Sequence, residues 1–419
     1  MGAGCRKSSG RVRAFAALIL LAFGSGDPIA AADEPGAAKG VRPARRLESG
    51  TSNPTLYDLG QFLAANVDRP PLLNHDTDGD GRVTAADAVR LFRPDHDPCR
   101  RVQRLLGPGL TETVGGVPWG SDLGVLVPHG GELWMLVGDV IGDGVFAPNT
   151  AARTPDTLAV DGLPFSWRTD PGGYPLPFFP RIDPDSTVPA GALSVDGNLY
   201  VFLMDVLDWD EPVRARAVLA CSVDVGSSFQ TVWTGPESNR LVNVSPARGP
   251  HPDDPGQEVV YLAASGAYRR SPVYLAWCDP ADLGSPDRYA WFRGVAGGVP
   301  QWGEGVAAAV PVLDGVKAGE LCLRRNAYLG GWLLSLFDYT TGSLGFWRAA
   351  SPWGPWTPGR PVFTPGTRDW YEAGWYGPYG GYSDPALDRG GGQVVYFTLS
   401  LWVPYAVFLM ETDLALIFP

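Results

Sequence analysis

Five segments of one kind recur from about residue 107 onward, and this repetition limits the fold more than any other feature of the chain. LWMLVGD ends at Asp139, LYVFLMD at Asp205, VVYLAAS at Ser265, WLLSLFD at Asp338 and VVYFTLS at Ser400, so the endpoints fall 66, 60, 73 and 62 residues apart. Each follows a turn (PHGGE, VDGN, DDPGQE, NAYLGG and DRGGG) and precedes another apolar strand. One such antiparallel unit cannot bury both of its faces, whereas a closed ring of them can. The spacing predicts an all-β chain with a five-bladed β-propeller over residues 107–419, a six-bladed ring being the alternative count.

The residues before the repeat have a different character. Arg6, Lys7, Arg11 and Arg13 precede an apolar run from Ala14 to Phe23 and then Ala30-Ala31-Ala32, the pattern of a secretory signal peptide over residues 1–32. Residues 33–52, rich in Ala, Gly, Pro and Arg, read as a flexible linker. Over 53–98, Leu56, Leu59, Phe62 and Leu63 share a helical face ahead of DTDGDGRVTAAD. There Asp76, Asp78, Asp80 and Asp87 occupy positions one, three, five and twelve of an EF-hand loop, Gly81 makes the sharp turn, and Arg82 offers a carbonyl. Alternate residues of a tight loop aim hard oxygens at one centre, so this predicts a structural calcium site. The loop, with the short helix TAADAVRLF after it, resembles the repeat of bacterial dockerin modules. Dockerins carry two such loops and this chain has one, so docking to a cohesin-like or cell-surface partner is a weaker expectation than a fold-holding ion.

Charge narrows the partners. Removing residues 1–32 takes away four of the 33 basic and one of the 45 acidic residues, leaving 29 against 44 and a net charge of −15. Such a protein is repelled by nucleic acid and anionic membrane, while a neutral glycan remains compatible. The expectation is an exported protein without a membrane span, found outside the cell, in the periplasm or on the cell surface. Cys99, Cys221, Cys278 and Cys322 do not make a disulfide scaffold in a chain of this length, and the four histidines show no metal-ligand spacing. No nucleophile elbow and no phosphate-binding loop is present.

What remains is carboxylate chemistry. In SDLGVLVPHGGELWMLVGD a Gly-Gly turn folds the segment back, so Asp122 before the first strand meets Asp139 after the second. Residues opposite one another in an antiparallel pair lie roughly 4.5 to 5.5 Å apart at Cα, within reach of the roughly 5 to 9.5 Å that separates the two carboxyl groups of glycoside hydrolases. Asp122 is the expected general base or nucleophile, Asp139 its partner, and Glu320 in GELCLRRN the candidate general acid. Asp205, Asp384, Arg324, Tyr382 and Trp119 are expected at the same mouth as substrate-binding groups, with Arg269 able to hold a carboxylate ionised. Asp384, like Glu320, is expected at the start of an inner strand. Taken singly, Asp139, Asp205 and Asp338 are also what a turn uses to accept backbone N–H groups.

The segments WGSDLG, GELWMLVGD, PAGALSVDGNLYVFLMD, SVDVGSSF, GELCLRRN, RAASPWGPW and YGGYSDP, in that order, resemble a bacterial domain-of-unknown-function family that includes propeller enzymes degrading D-arabinofuranan. SVDVGSSF itself is similar to the Asp-box of sialidase-type blades, a structural turn. The resemblance, which spans residues 107–419, implies a glycoside hydrolase acting on a furanosidic polysaccharide. The alternative is a non-catalytic glycan-binding propeller at the cell surface, in which the same carboxylates only bind sugar hydroxyls.

Overall fold

The computed structural model describes residues 98–418 apart from 183–184, 210–212, 238–239, 267, 365–370 and 372–373. The expected signal peptide, linker and calcium loop of Asp76, Asp78, Asp80, Arg82 and Asp87 lie outside the described residues.

The described chain is all-β. Strands β1 (Cys99–Leu106) and β2 (Trp119–Gly120) come first. There follow β3 (Leu123–His129), β4 (Glu132–Val137), β5 (Val140–Gly142), β6 (Val145–Ala147), β7 (Thr150–Thr154) and β8 (Ser166–Trp167). The order β3-β4-β7-β8 forms one antiparallel sheet, and β2-β5-β6 a small separate one. The next sheet is β9 (Ser186–Val195), β10 (Asn198–Asp208), β11 (Arg214–Ser222) and β12 (Gln230–Thr234), in chain order. Strands β13 (Asn243–Pro250), β14 (Glu258–Ser265), β15 (Ser271–Cys278), β16 (Ala290–Ala296) and β17 (Val299–Gly303) continue the pattern. So do β18 (Leu313–Asn326), β19 (Gly331–Asp338), β20 (Ser343–Ala349) and β21 (Arg360–Phe363), joined to the preceding group by β15–β18 pairing. The last sheet is β22 (Tyr376–Ser383), β23 (Val394–Val403) and β24 (Ala406–Asp413), with β1 added at its outer edge.

The leading strands close on one another: β3 lies against β9, β9 against β13, β13 against β18, β18 against β22, and β22 against β3. Apolar clusters fill the spaces between neighbouring sheets. Trp134 and Leu136 pack with Leu203 and Val218, and Phe202 with Leu262 and Trp291; Leu334 packs with Leu275, and Phe346 with Phe397. Leu409 and Tyr396 then meet Met135 and Leu126, so the last sheet packs on the first. This propeller-like arrangement answers the burial problem that the repeat poses, since each sheet finds a neighbour for both faces.

Local sequence explains the hairpins. His129 pairs with Glu132 across Gly130-Gly131, and Val195 with Asn198 across Asp196-Gly197. All four central residues have positive φ, between 50° and 81°, the geometry of the two-residue turn whose twist matches that of the strands. The Asp-box is the β11–β12 turn: Asp224 accepts from Ser222 Oγ, Ser228 N and Ser228 Oγ at 2.7–2.8 Å. These hydrogen bonds, those of Ser228 foremost, hold its carboxyl down at about 2.

One boundary differs from expectation. The β-structure begins at Cys99, ahead of residue 107, because β1 pairs with β24 and Arg100 clasps Glu411 at 3.0 and 2.7 Å. The first and last described strands are thereby tied together.

Candidate active site

The β3–β4 hairpin brings the two aspartates to one place. Gly138 N donates to the Asp122 carbonyl at 3.1 Å, which sets Asp122 opposite the residue before Asp139. A Cβ on Gly138 would stand 2.2 Å from Asp122 Oδ1, so the glycine makes room for the carboxylate. Leu123 and Gly124 take φ of 70° and 88° where the pairing register slips, a bulge that bends the strand beside Asp122. The pairing of β18 slips between Ala318 and Leu321, around Glu320, and that of β22 between Gly380 and Ser383.

Neighbouring sheets complete the site. Tyr379 of β22 donates its hydroxyl to Asp122 Oδ2 at 2.7 Å, and Ser186 of β9 donates to Asp139 Oδ2 at 2.5 Å. Arg269, in the β14–β15 connection, meets Glu320 Oε1 at 3.0 Å, with Tyr268 hydroxyl at 3.4 Å from the same oxygen. The Arg269 guanidinium also lies over the rings of Tyr268, Tyr339 and Tyr379, at 4.5, 4.7 and 5.3 Å. Arg269 thus touches both the Glu320 carboxylate and the tyrosine that holds Asp122.

Each of the three carboxylates is anchored through one oxygen. The other oxygen, Asp122 Oδ1, Asp139 Oδ1 or Glu320 Oε2, is buried and has no hydrogen-bond partner. Burial pushes the Asp122 carboxyl up to about 7, the Tyr379 hydrogen bond opposing and the charges of Asp139 and Glu320 adding to it. Burial likewise pushes Asp139 up to about 7, against the hydrogen bond from Ser186 and the charge of Arg181. Two carboxyls that take up protons near neutrality, side by side, can exchange roles as proton donor and acceptor.

Other expected site residues lie elsewhere. Trp119 is 2% exposed and stacks edge-on against Trp167 at 5.2 Å, leaving no open face for a sugar. Asp205 is fully buried, accepting from Thr187 Oγ1 at 3.0 Å and from Arg216 Nε at 2.9 Å. It joins two strands of one sheet to the third and is not open to a ligand. Asp338 accepts from Lys317 N and Thr340 N, the turn role. Asp384 follows the last residue of β22 and does not start it, and Arg324 lies four residues beyond Glu320 along β18. At about 3.3 Å per residue that displaces Arg324 by roughly 13 Å, toward the far end of the inner strands, where it is bonded to Asp388 at 2.7 and 3.0 Å. Tyr382 is buried between the two ends; after burial itself, the charges of Glu320 and Asp122 raise its phenol further.

Tyr268, Tyr339, Tyr379 and Ser186 are not singled out by the sequence. The one available signal was position: Ser186 opens its inner strand, and Tyr379 sits in the first half of its own. Among the described residues, no group of three or more His, Cys, Asp or Glu side chains is placed to hold a metal ion. No helix among them is long and apolar enough to cross a membrane.

Similar solved structures include a Hadza microbial sialidase, 14% identical, with a TM-score of 0.40 over 72% of this chain and 54% of that one. The chain therefore spans about half the length of the sialidase. The native Bacillus subtilis arabinanase Arb43A is 14% identical, with a TM-score of 0.41 over 70% and 96% of the two chains. A GH43_1 enzyme from Xanthomonas citri is 12% identical, with a TM-score of 0.45 over 74% and 91%. A comparison with curated proteins finds no match. Residues 111–411 match the family described as a domain of unknown function, DUF4185, and the chain belongs to that family.

Proposed function

We propose that this protein is a secreted glycoside hydrolase that cleaves a furanosidic polysaccharide of the D-arabinofuranan kind, on a scaffold read as a five-bladed β-propeller. The observation that carries the reading is the set of three carboxylates from two sheets, each anchored through one oxygen and unpartnered at the other. The closed succession of β3, β9, β13, β18 and β22 supports the blade count. The choice of furanosidic substrate rests on the sequence resemblance alone.

In this reading Asp139 delivers a proton to the glycosidic oxygen as the carbon–oxygen bond breaks. Asp122, oriented by Tyr379, either activates the attacking water or itself attacks the anomeric carbon. The acid role expected of Glu320 passes to the aspartate pair, because Glu320 is engaged by Arg269. Its negative charge helps to raise the proton affinity of Asp122 and stabilises positive charge developing on the sugar ring. The calcium loop at Asp76–Asp87 is proposed, from ligand spacing alone, to bind a structural ion.

The test is to incubate the protein and its Asp122→Asn and Asp139→Asn variants with furanosidic and pyranosidic polysaccharides and to follow released oligosaccharide. General acid or base catalysis contributes about 10² to 10⁴-fold, so each variant is expected to lose at least that. Glycan binding without cleavage by the unsubstituted protein would replace this reading with the binding-module one.

A further inference from the structure

The far ends of the inner strands line a half-open cavity of about 350 Å³, within the range of roughly 300 to 1,000 Å³ typical of small-ligand sites. Every inner strand contributes to its wall: Pro128 from β3, Ser194 from β9, Arg248 from β13, Arg324 from β18, and Asp384 just past β22. Tyr382, which lines it too, is buried within reach of the charges of Glu320 and Asp122, neither of which lines the cavity.

Its polar groups are built in. Arg324 is 4% exposed, and although Nη1 and Nη2 are bound to Asp388, its Nε has no hydrogen-bond partner. Asp384 accepts from Ala386 N through Oδ1 at 2.8 Å, and burial pushes its carboxyl up to about 6. Arg248 is paired with Glu258 and donates to the Ser194 carbonyl at 3.0 Å. An unpartnered buried donor costs stability unless something else meets it.

We propose that this cavity is a second, non-catalytic glycan site that takes one neutral sugar unit. Arg324 is cancelled by Asp388 and Arg248 by Glu258, and the two remaining charged groups of the wall, Arg325 and Asp384, are of opposite sign, so little net field remains to hold an ion. A planar guanidinium edge near a carboxyl offers donors and acceptors side by side, which suits adjacent hydroxyls. Pro246 and Ala247, on the same wall, present apolar surface to the C–H face of a ring. The site does not depend on the cleavage reading, because none of these groups belongs to the Asp122 cluster.

The experiment titrates free D-arabinose, and separately a D-arabinofuranan oligosaccharide, into the protein and its Ser194→Trp and Asp384→Asn variants. Binding is followed by saturation-transfer NMR and calorimetry, with inorganic phosphate as competitor. Ser194→Trp fills the cavity from β9, and Asp384→Asn removes the charge at nearly constant volume. Thermal melts check that both fold. D-arabinose affinity is expected to fall about tenfold or more in each variant, as loss of a hydrogen bond to a charged group implies, with phosphate not displacing the sugar. The oligosaccharide arm distinguishes a chain end from a released sugar as the occupant. Ser194→Trp is expected to cleave polysaccharide at the unsubstituted rate. Unchanged D-arabinose affinity in both variants, or displacement by phosphate, overturns the proposal. If no glycan is cleaved yet D-arabinose binding still depends on Ser194 and Asp384, this site stands and the hydrolase reading falls.

Discussion

Replacing Tyr379 by Phe tests the coupling between sheets at the candidate active site with a single atom. The tyrosine hydroxyl donates to Asp122 Oδ2 at 2.7 Å, and burial and the Asp122 charge raise its own ionisation well above the usual phenol range, so it remains a donor at neutral pH. A hydrogen bond to a charged group is worth about 1.5 to 3 kcal/mol. At about 1.36 kcal/mol per tenfold change in proton affinity, its loss moves the ionisation of Asp122 upward by about 1 to 2 pH units. The direction follows because Tyr379 bonds the ionised carboxylate and now lowers a value that burial has raised to about 7. The phenyl ring stays beneath Arg269, whose contact with it spans 5.3 Å, so the Glu320 ion pair is retained. If Asp122 must be ionised to act, the acid limb of the pH–rate profile moves to higher pH by the same amount, with the plateau rate less affected. Carboxyl ¹³C NMR titration reads the same shift without any substrate. A retained rate whose acid limb does not move, with an unmoved carboxyl titration, would refute the account of how Asp122 is held.

Stability should depend on pH in a way opposite to that of a salt-bridged acid. The folded-state values of Asp122 and Asp139, both about 7, lie above the unfolded 3.8, so the contribution of these two groups to stability is greatest below about pH 4 and declines as pH rises toward 7. The upper bound is on the order of 4 kcal/mol for each aspartate; Asp122→Asn should therefore melt higher than the unsubstituted protein at pH 8, with the gain vanishing near pH 4. Deleting residues 1–97 should leave a cooperatively folding fragment, whereas deletion through Leu106 removes β1 and strands Glu411, which is 1% exposed. Breaking a buried ion pair costs about 3 to 5 kcal/mol, so denaturant midpoints should separate the two fragments clearly. Asp76→Ala should abolish high-affinity calcium uptake by calorimetry while leaving the melting of the β-structure unchanged.

How far the site could be read from sequence depended on where glycine stood. Gly130-Gly131 and Asp196-Gly197 are unambiguous turn signals, because few other residues accept positive φ at two successive positions. Once the first of them is fixed, the register carries Asp122 to the end of β4 opposite Asp139, and the bulge at Leu123-Gly124, which the sequence does not announce, moves it by one residue to face Gly138. Glycine inside a strand misleads in the opposite way. YGGYSDP reads as a loop, which assigns Asp384 to the start of the strand that follows. Those glycines in fact lie within β22, with φ of 92° and 103°. A Cβ on Gly381 would stand 2.6 Å from Leu344 Cδ1, so the residue is required by close packing of β20 and not by a turn. Asp384 and Arg324 therefore sit at the far end of the inner strands, away from Glu320.

The partners of the carboxylates were harder to read, for a different reason. Tyr379 is 257 residues from Asp122 and Arg100 is 311 from Glu411. Such pairs form only when one sheet is laid against another or the ring is closed, and strand periodicity carries no information about which positions of neighbouring sheets then face each other. Hairpins are specified locally, so a carboxylate pair within one hairpin can be proposed from sequence. Its proton affinity cannot, because that depends on burial by other sheets and on Tyr379, Glu320 and Arg269, each supplied from elsewhere in the chain. Chemistry in a ring of repeated sheets is thus set by contacts between repeats, and the residues that most need testing are those, such as Tyr379 and Arg269, that reach from one sheet to the carboxylates of another.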